Sequence, residues 1–120
     1  MNLNYSIIKH SINDQNFHYD FLIKNNDILE CWQFQKLPCF DSDLSLTCKK
    51  IFDHRLIYLT YEGEISNNRG AVMLIENGFF DIQIQQANLI KFKSQSKILT
   101  GTFKLELVSE DTWKLKKLSE

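Results

Sequence analysis

Three histidines, His10, His18 and His54, are the residues of this 120-residue chain best suited to chemistry, and they fall in two short clusters. The first holds Lys9-His10 and then His18-Tyr19-Asp20-Phe21; the second reads Asp53-His54-Arg55-Leu56-Ile57-Tyr58. On a β-strand, His18 and Asp20 project from one face about 7 Å apart along the chain, while Tyr19 and Phe21 point the other way, toward a core. An imidazole nitrogen and a carboxylate oxygen form a borderline-hard donor pair for Mn²⁺, Zn²⁺ or Fe²⁺, with geometry choosing among them. The same spacing also describes a surface ion pair, so spacing by itself leaves both readings open.

Period-two alternation governs the elements that must position these groups. In Gly101 to Val108, Phe103, Leu105 and Leu107 share one face while Thr102, Lys104 and Glu106 share the other, the pattern of a half-buried strand. Phe80 to Gln85 and Trp113 to Lys116 alternate likewise. Further strands are expected at Tyr5 to Lys9, Phe17 to Lys24, Ile28 to Gln35, Leu44 to Phe52, Leu56 to Tyr61, Ala71 to Glu76 and Asn88 to Lys93. Turn chemistry separates them at Asn25-Asn26-Asp27, Pro38 to Ser42, Ser66 to Gly70 and Asn77-Gly78. No long helical stripe is present. The pattern predicts an all-β fold in one domain over residues 1–120, a compact antiparallel β-barrel of about eight strands, since closure removes exposed edges.

Fourteen basic against fifteen acidic side chains leave a formal charge of −1, without the strong basic excess of a duplex-binding protein. No apolar run approaches a membrane span, and Met1 to Tyr5 lacks a basic, then apolar, leader, so the protein is expected to be soluble and cytoplasmic. Cys31, Cys39 and Cys48, spaced by eight and nine, suit neither a disulfide framework nor the close pairs of a structural zinc site. They read as reduced thiols in the core or at a surface.

Taken in order, Lys9-His10, His18-Tyr19-Asp20-Phe21, Ile28 to Pro38 with Trp32 and Lys36, Asp53-His54 with Tyr58, and Tyr61-Glu62-Gly63-Glu64-Ile65 resemble the 3'-phosphoesterase domain of bacterial DNA ligase D. Gly101, Phe103 and Leu105, then Trp113, Leu115 and Lys117, extend the resemblance over nearly the whole chain. It implies a barrel with a crater-like active site and a Mn²⁺-dependent activity that removes a 3'-terminal ribonucleoside and then the 3'-phosphate from DNA 3' ends or primer-templates during repair. It also implies metal ligands at His10, His18 and Asp20. His54 and His18 contact the scissile phosphate by the same resemblance, and Tyr58 belongs to the catalytic set.

The departures fall on phosphate recognition. Leu22 stands where the family strand continues with arginine, and Ser45-Leu46-Thr47 stands where a second arginine is found. Two guanidinium clamps are thereby missing. His10 and His18 are two residues farther apart than in the family pattern, so the stretch Ser11 to Phe17 must bulge for both to reach one ion. The basic groups available to compensate are Arg55, Arg69 and the Lys49-Lys50 pair. Asp53 either orients His54 or caps a turn. The alternative reading is a catalytically impaired end-binding or docking module for a separate ligase or polymerase.

Overall fold

Residues 2–38, 40 and 45–118 are described by a computed structural model. They form β1 (Asn2–Ser11), β2 (Phe17–Asn25), β3 (Ile28–Phe34), β4 (Ser45–Arg55), a short 3-10 helix (Leu56–Leu59), β5 (Gly63–Glu64), β6 (Ala71–Gln86), β7 (Leu89–Gln95), β8 (Thr100–Ser109) and β9 (Thr112–Leu118). Neighbouring strands are antiparallel in the order β1-β2-β3-β4-β9-β8-β7-β6, and β6 pairs with β1 to close an eight-stranded barrel. β5 adds to the start of β6. No helix among the described residues is long and apolar enough to cross a membrane. Leu44, Cys39 and most of the expected turn from Pro38 to Ser42 lie outside the described residues.

The alternation read from the sequence fills the barrel. Tyr5, Ile7, Phe21, Ile23, Trp32, Phe34, Cys48, Phe80, Ile90, Phe92, Phe103, Leu105, Trp113 and Leu115 are buried inside it, with every wall strand contributing. Phe92 sits at the centre, its ring centroid 4.2 Å from Phe80 and 5.4 Å from Phe103. Each such ring removed from water contributes about 1.5–3 kcal/mol. Lys50 lies over the Trp32 and Trp113 rings and donates to Glu30 at 2.6 Å. Lys49 pairs with Asp111 at 3.4 Å. Both lysines are thus engaged in ion pairs within the barrel wall and its β8–β9 turn.

A second core lies against the outer wall. Ile8, Leu22, Leu29, Cys31 and Val72 are buried there beneath Leu56, Tyr58, Leu59, Tyr61 and Ile65. Two irregularities in register create it. Ile8 pairs with Leu74 and Ile7 with Glu76, so the extra residue Ile75 switches the facing of β6: Val72 and Leu74 turn outward, Glu76 and Phe80 inward. Between β3 and β4, Leu29 pairs with His54 and Cys31 with Ile51, leaving Glu30 opposite both Phe52 and Asp53. Directly opposed residues share a face, so this bulge turns His54 to the outer wall with Leu29.

Three sequence expectations are corrected. The strand expected at Leu56 to Tyr61 is instead the 3-10 helix, because Leu56, Tyr58 and Leu59 all pack on the outer core, which a period-two strand cannot arrange. The strands expected at Ala71 to Glu76 and Phe80 to Gln85 are one strand, and Asn77-Gly78 is not a turn. Both residues pair with β1, Asn77 opposite Ser6 and Gly78 opposite Tyr5. Two of the turns fall as read: Asn26 adopts φ 57° between β2 and β3, and Asn67, Asn68 and Gly70 take positive φ before β6.

Two stability tests follow from these contacts. Burial first, and then its hydrogen bond to Glu76, pushes the Tyr5 hydroxyl up to about 12. An unfolded tyrosine ionises near pH 10. The contribution is therefore complete below about pH 10 and lost as pH rises toward 12. Urea unfolding across that window should weaken the wild type more steeply than Tyr5→Phe; parallel slopes would refute the assignment. Gly70 has φ +91°, and a Cβ there would lie 2.0 Å from the Ser11 carbonyl oxygen. Gly70→Ala is expected to cost about 1–3 kcal/mol and to strip hydrogen-exchange protection from residues 65–70 before the barrel strands. Uniform loss of protection would contradict that local account.

Candidate metal centre and its hollow

Asp20 alternates with Phe21 on β2, so the ring that enters the barrel sends the carboxyl group to the outer wall, where it is only 1% exposed. The β1–β2 register sets His10 directly opposite His18, and Ile8 opposite Asp20. The two additional residues between the histidines are taken up at the hairpin tip, where Asn13 Oδ1 accepts from the backbone N–H groups of Gln15 and Asn16. The strands themselves are not distorted, and His10, His18 and Asp20 each bring one donor atom within 4.8 Å of the others.

The chemistry of this cluster suits a divalent cation. His18 Nε2 lies 3.3 Å from Asp20 Oδ1, but Oδ1 is buried and makes no hydrogen bond among the described residues. Leaving such an oxygen unsatisfied costs about 1–3 kcal/mol, which a bound cation would offset. The tautomers agree. His10 donates through Nε2 to the Arg69 carbonyl oxygen at 2.8 Å, which leaves Nδ1 with a free lone pair. His54 donates through Nδ1 to the Phe52 carbonyl oxygen at 3.0 Å, leaving Nε2, which faces Asp20 Oδ2 at 3.9 Å. His54 is thus oriented by the Phe52 backbone and not by Asp53, which is exposed at the rim.

A hollow of about 460 Å³ opens beside the cluster, between the barrel wall and the segment that follows β4. His10, Asp20, Phe52, Asp53, His54, Arg55, Tyr58, Ser66 and Arg69 line it over a floor of Ile8, Ile65 and Val72. The 3-10 helix brings the Tyr58 ring edge-on to His54, with centroids 5.9 Å apart. Ser6 holds that helix by donating to the Tyr58 carbonyl oxygen at 3.2 Å. Glu62 accepts from the Leu74 N–H at 2.9 Å, and Gly70 accepts from the Ile65 N–H at 2.8 Å. The Ser6 and Glu62 bonds fasten the covering segment to β1 and β6, and the Ile65–Gly70 bond closes its 65–70 turn.

All the sequence-derived site residues therefore converge on one place: His10, His18 and Asp20 on one side, His54, Tyr58 and Arg55 on the other. Arg55 has no ion-pair partner among the described residues. Arg69 is committed through Nε to the Ser66 carbonyl oxygen at 2.9 Å. Leu22 is fully buried in the outer core, so the position of the family arginine is given to packing. Sequence reasoning missed two residues. Phe52, 78% exposed, stacks on the His54 ring with planes 5° apart. Cys31, fully buried, forms with Asp20 and His54 a second triad whose donor atoms lie within 4.8 Å of one another. Burial, followed by the charge of Asp20, pushes the Cys31 thiol well above the ordinary cysteine range. The parity of Leu29 and Cys31 was a usable signal for the thiol; nothing in the pattern marked Phe52.

A comparison with curated proteins finds no match to the chain. Against protein families, residues 9–116 match the DNA ligase D 3'-phosphoesterase domain, a span that includes His10, His18, Asp20, His54 and Tyr58 and runs through every strand of the barrel. The chain accordingly belongs to the DNA ligase D 3'-phosphoesterase domain family.

Proposed function

We propose that this protein is a divalent-cation-dependent phosphoesterase acting on DNA 3' ends, with Mn²⁺ as the cation, and that it removes a terminal 3' ribonucleoside and the remaining 3'-phosphate in repair. The observation that carries this reading is the buried Asp20 carboxyl group, its Oδ1 unsatisfied beside His10 and His18. A cation held by these three residues supplies Lewis-acid stabilisation of phosphoryl charge and acidifies water. His54 Nε2, with Nδ1 tied to the backbone, is the proton-carrying or phosphate-contacting atom on the opposite side. Tyr58 limits the swing of the His54 ring, and Arg55 is the free guanidinium for the phosphate. Phe52 offers a face on which the terminal base stacks.

One specific observation favours the second reading, an end-binding or docking module for a separate ligase or polymerase: position 22 is filled by a buried leucine and Arg69 is occupied by Ser66. The site then has one free arginine where phosphate recognition favours several. A formal charge of −1 becomes +1 with one divalent ion bound, which suits contact with a single 3' end and gives a shallow salt dependence on duplex.

Three outcomes are expected. The purified chain with Mn²⁺ trims primer-templates ending in a 3'-ribonucleotide or a 3'-phosphate; failure on both, with retained binding to the end, selects the docking module. Asp20→Asn, folded by circular dichroism, loses Mn²⁺ binding by calorimetry and lowers turnover by about 10²-fold or more. Phe52→Ala raises KM about tenfold with kcat nearly unchanged, in keeping with about 1–3 kcal/mol per stacked base; an unchanged KM removes Phe52 from the substrate site.

A further inference from the structure

We infer that the Asp20 carboxylate serves two adjacent cation positions, and that the second, formed by Asp20, Cys31 and His54, takes a thiophilic divalent ion such as Zn²⁺. The inference rests on the phosphoesterase reading for the first position and departs from it at His54, whose Nε2 ligates the second ion so that the ion, in place of the imidazole, meets the phosphate. Its ground is the way the two oxygens of Asp20 divide. Oδ1 faces His18 at 3.3 Å and Oδ2 faces His54 at 3.9 Å, so the carboxylate stands between two separate triads of donors. The second triad has an oxygen, an imidazole nitrogen whose partner nitrogen is already bonded to the backbone, and a sulfur.

That donor set differs in kind from the first. Two imidazoles and a carboxylate accept Mn²⁺, whereas sulfur biases a site toward zinc and away from manganese. Three protein donors with one position open is the composition of a catalytic zinc site. Asp20 and His54 line the hollow while Cys31 is buried behind them, so the open position faces the hollow. Metal loading replaces the Cys31 S–H bond by a sulfur–metal bond and releases the proton to solvent, with no change of oxidation state. Cys48 cannot supply the sulfur, because it is buried inside the barrel against the Trp113 carbonyl.

Titration of the metal-free full chain with Co²⁺ tests the proposal without an activity readout. The expected result is two equivalents retained by elemental analysis, with a thiolate-to-cobalt charge-transfer band on filling the thiol position. Cys31→Ser should hold one equivalent, lack the band, keep its Mn²⁺ affinity and lose Zn²⁺ affinity by more than about tenfold. One equivalent in the wild type without the band overturns the second position and leaves the first standing; one equivalent with the band overturns the pair of adjacent positions, because Cys31 then holds the single ion. No retained ion overturns both this inference and the cation-dependent reading. Zinc X-ray absorption on the wild type decides the matter even where Cys31→Ser does not fold. One sulfur at about 2.3 Å supports the position. A shell of nitrogen and oxygen alone overturns it.

Discussion

A carboxyl group held almost wholly out of water, with one oxygen unsatisfied, is the constraint around which the outer half of this protein is organised. Burying Asp20 is unfavourable unless something compensates, and the compensation comes from three directions. β1 delivers His10 and β2 delivers His18 through direct opposition in the hairpin; β4 delivers His54 through a bulge. The covering segment then limits solvent access with the 3-10 helix and Tyr58.

The barrel makes this arrangement affordable in stability. Its interior buries aromatic rings from every wall strand but β4, which contributes Cys48, independently of the outer cluster. The strands that carry the site are therefore held from behind, and their outward residues can be polar without endangering the fold. The candidate centre stands on rigid strands, with only Tyr58 and Arg69 on the covering segment. The groups suited to a cation, and His54 and Arg55 at the end of β4, are fixed by sheet register. Tyr58 and Arg69 hang from a segment fastened by Gly70, Glu62 and Ser6.

Two buried residues, Leu22 and Cys31, set the local chemistry behind the centre. Leu22 is part of the apolar seal beneath the covering segment, so that position offers no guanidinium to the hollow. Cys31 has brought a soft donor to the edge of a site otherwise made of imidazole and carboxylate. Both residues lie on the same outward-facing rows of β2 and β3, where Leu22 stands opposite Cys31. They shape the surroundings of the centre formed by His10, His18, Asp20 and His54.

The sequence by itself determined most of the strands, the turns at Asn25 to Asp27 and Ser66 to Gly70, the barrel and the pairing of His18 with Asp20 on one face, because these follow from period-two alternation and from turn residues acting locally. It also carried His10, His54 and Tyr58, but only through an ordered resemblance. Simple parity from Cys48 would have sent His54 into the barrel. Only the tertiary structure decided otherwise. The two-against-one bulge opposite Glu30, and the extra residue at Ile75, depend on which strands meet and in what register, and neither leaves a periodic trace in the chain. The same is true of the 3-10 helix, whose form answers a core that exists only once β1, β2, β3 and β6 are side by side. A site assembled from side chains of four strands and a covering segment is thus legible in its parts from the sequence. Its assembly is set by long-range pairing.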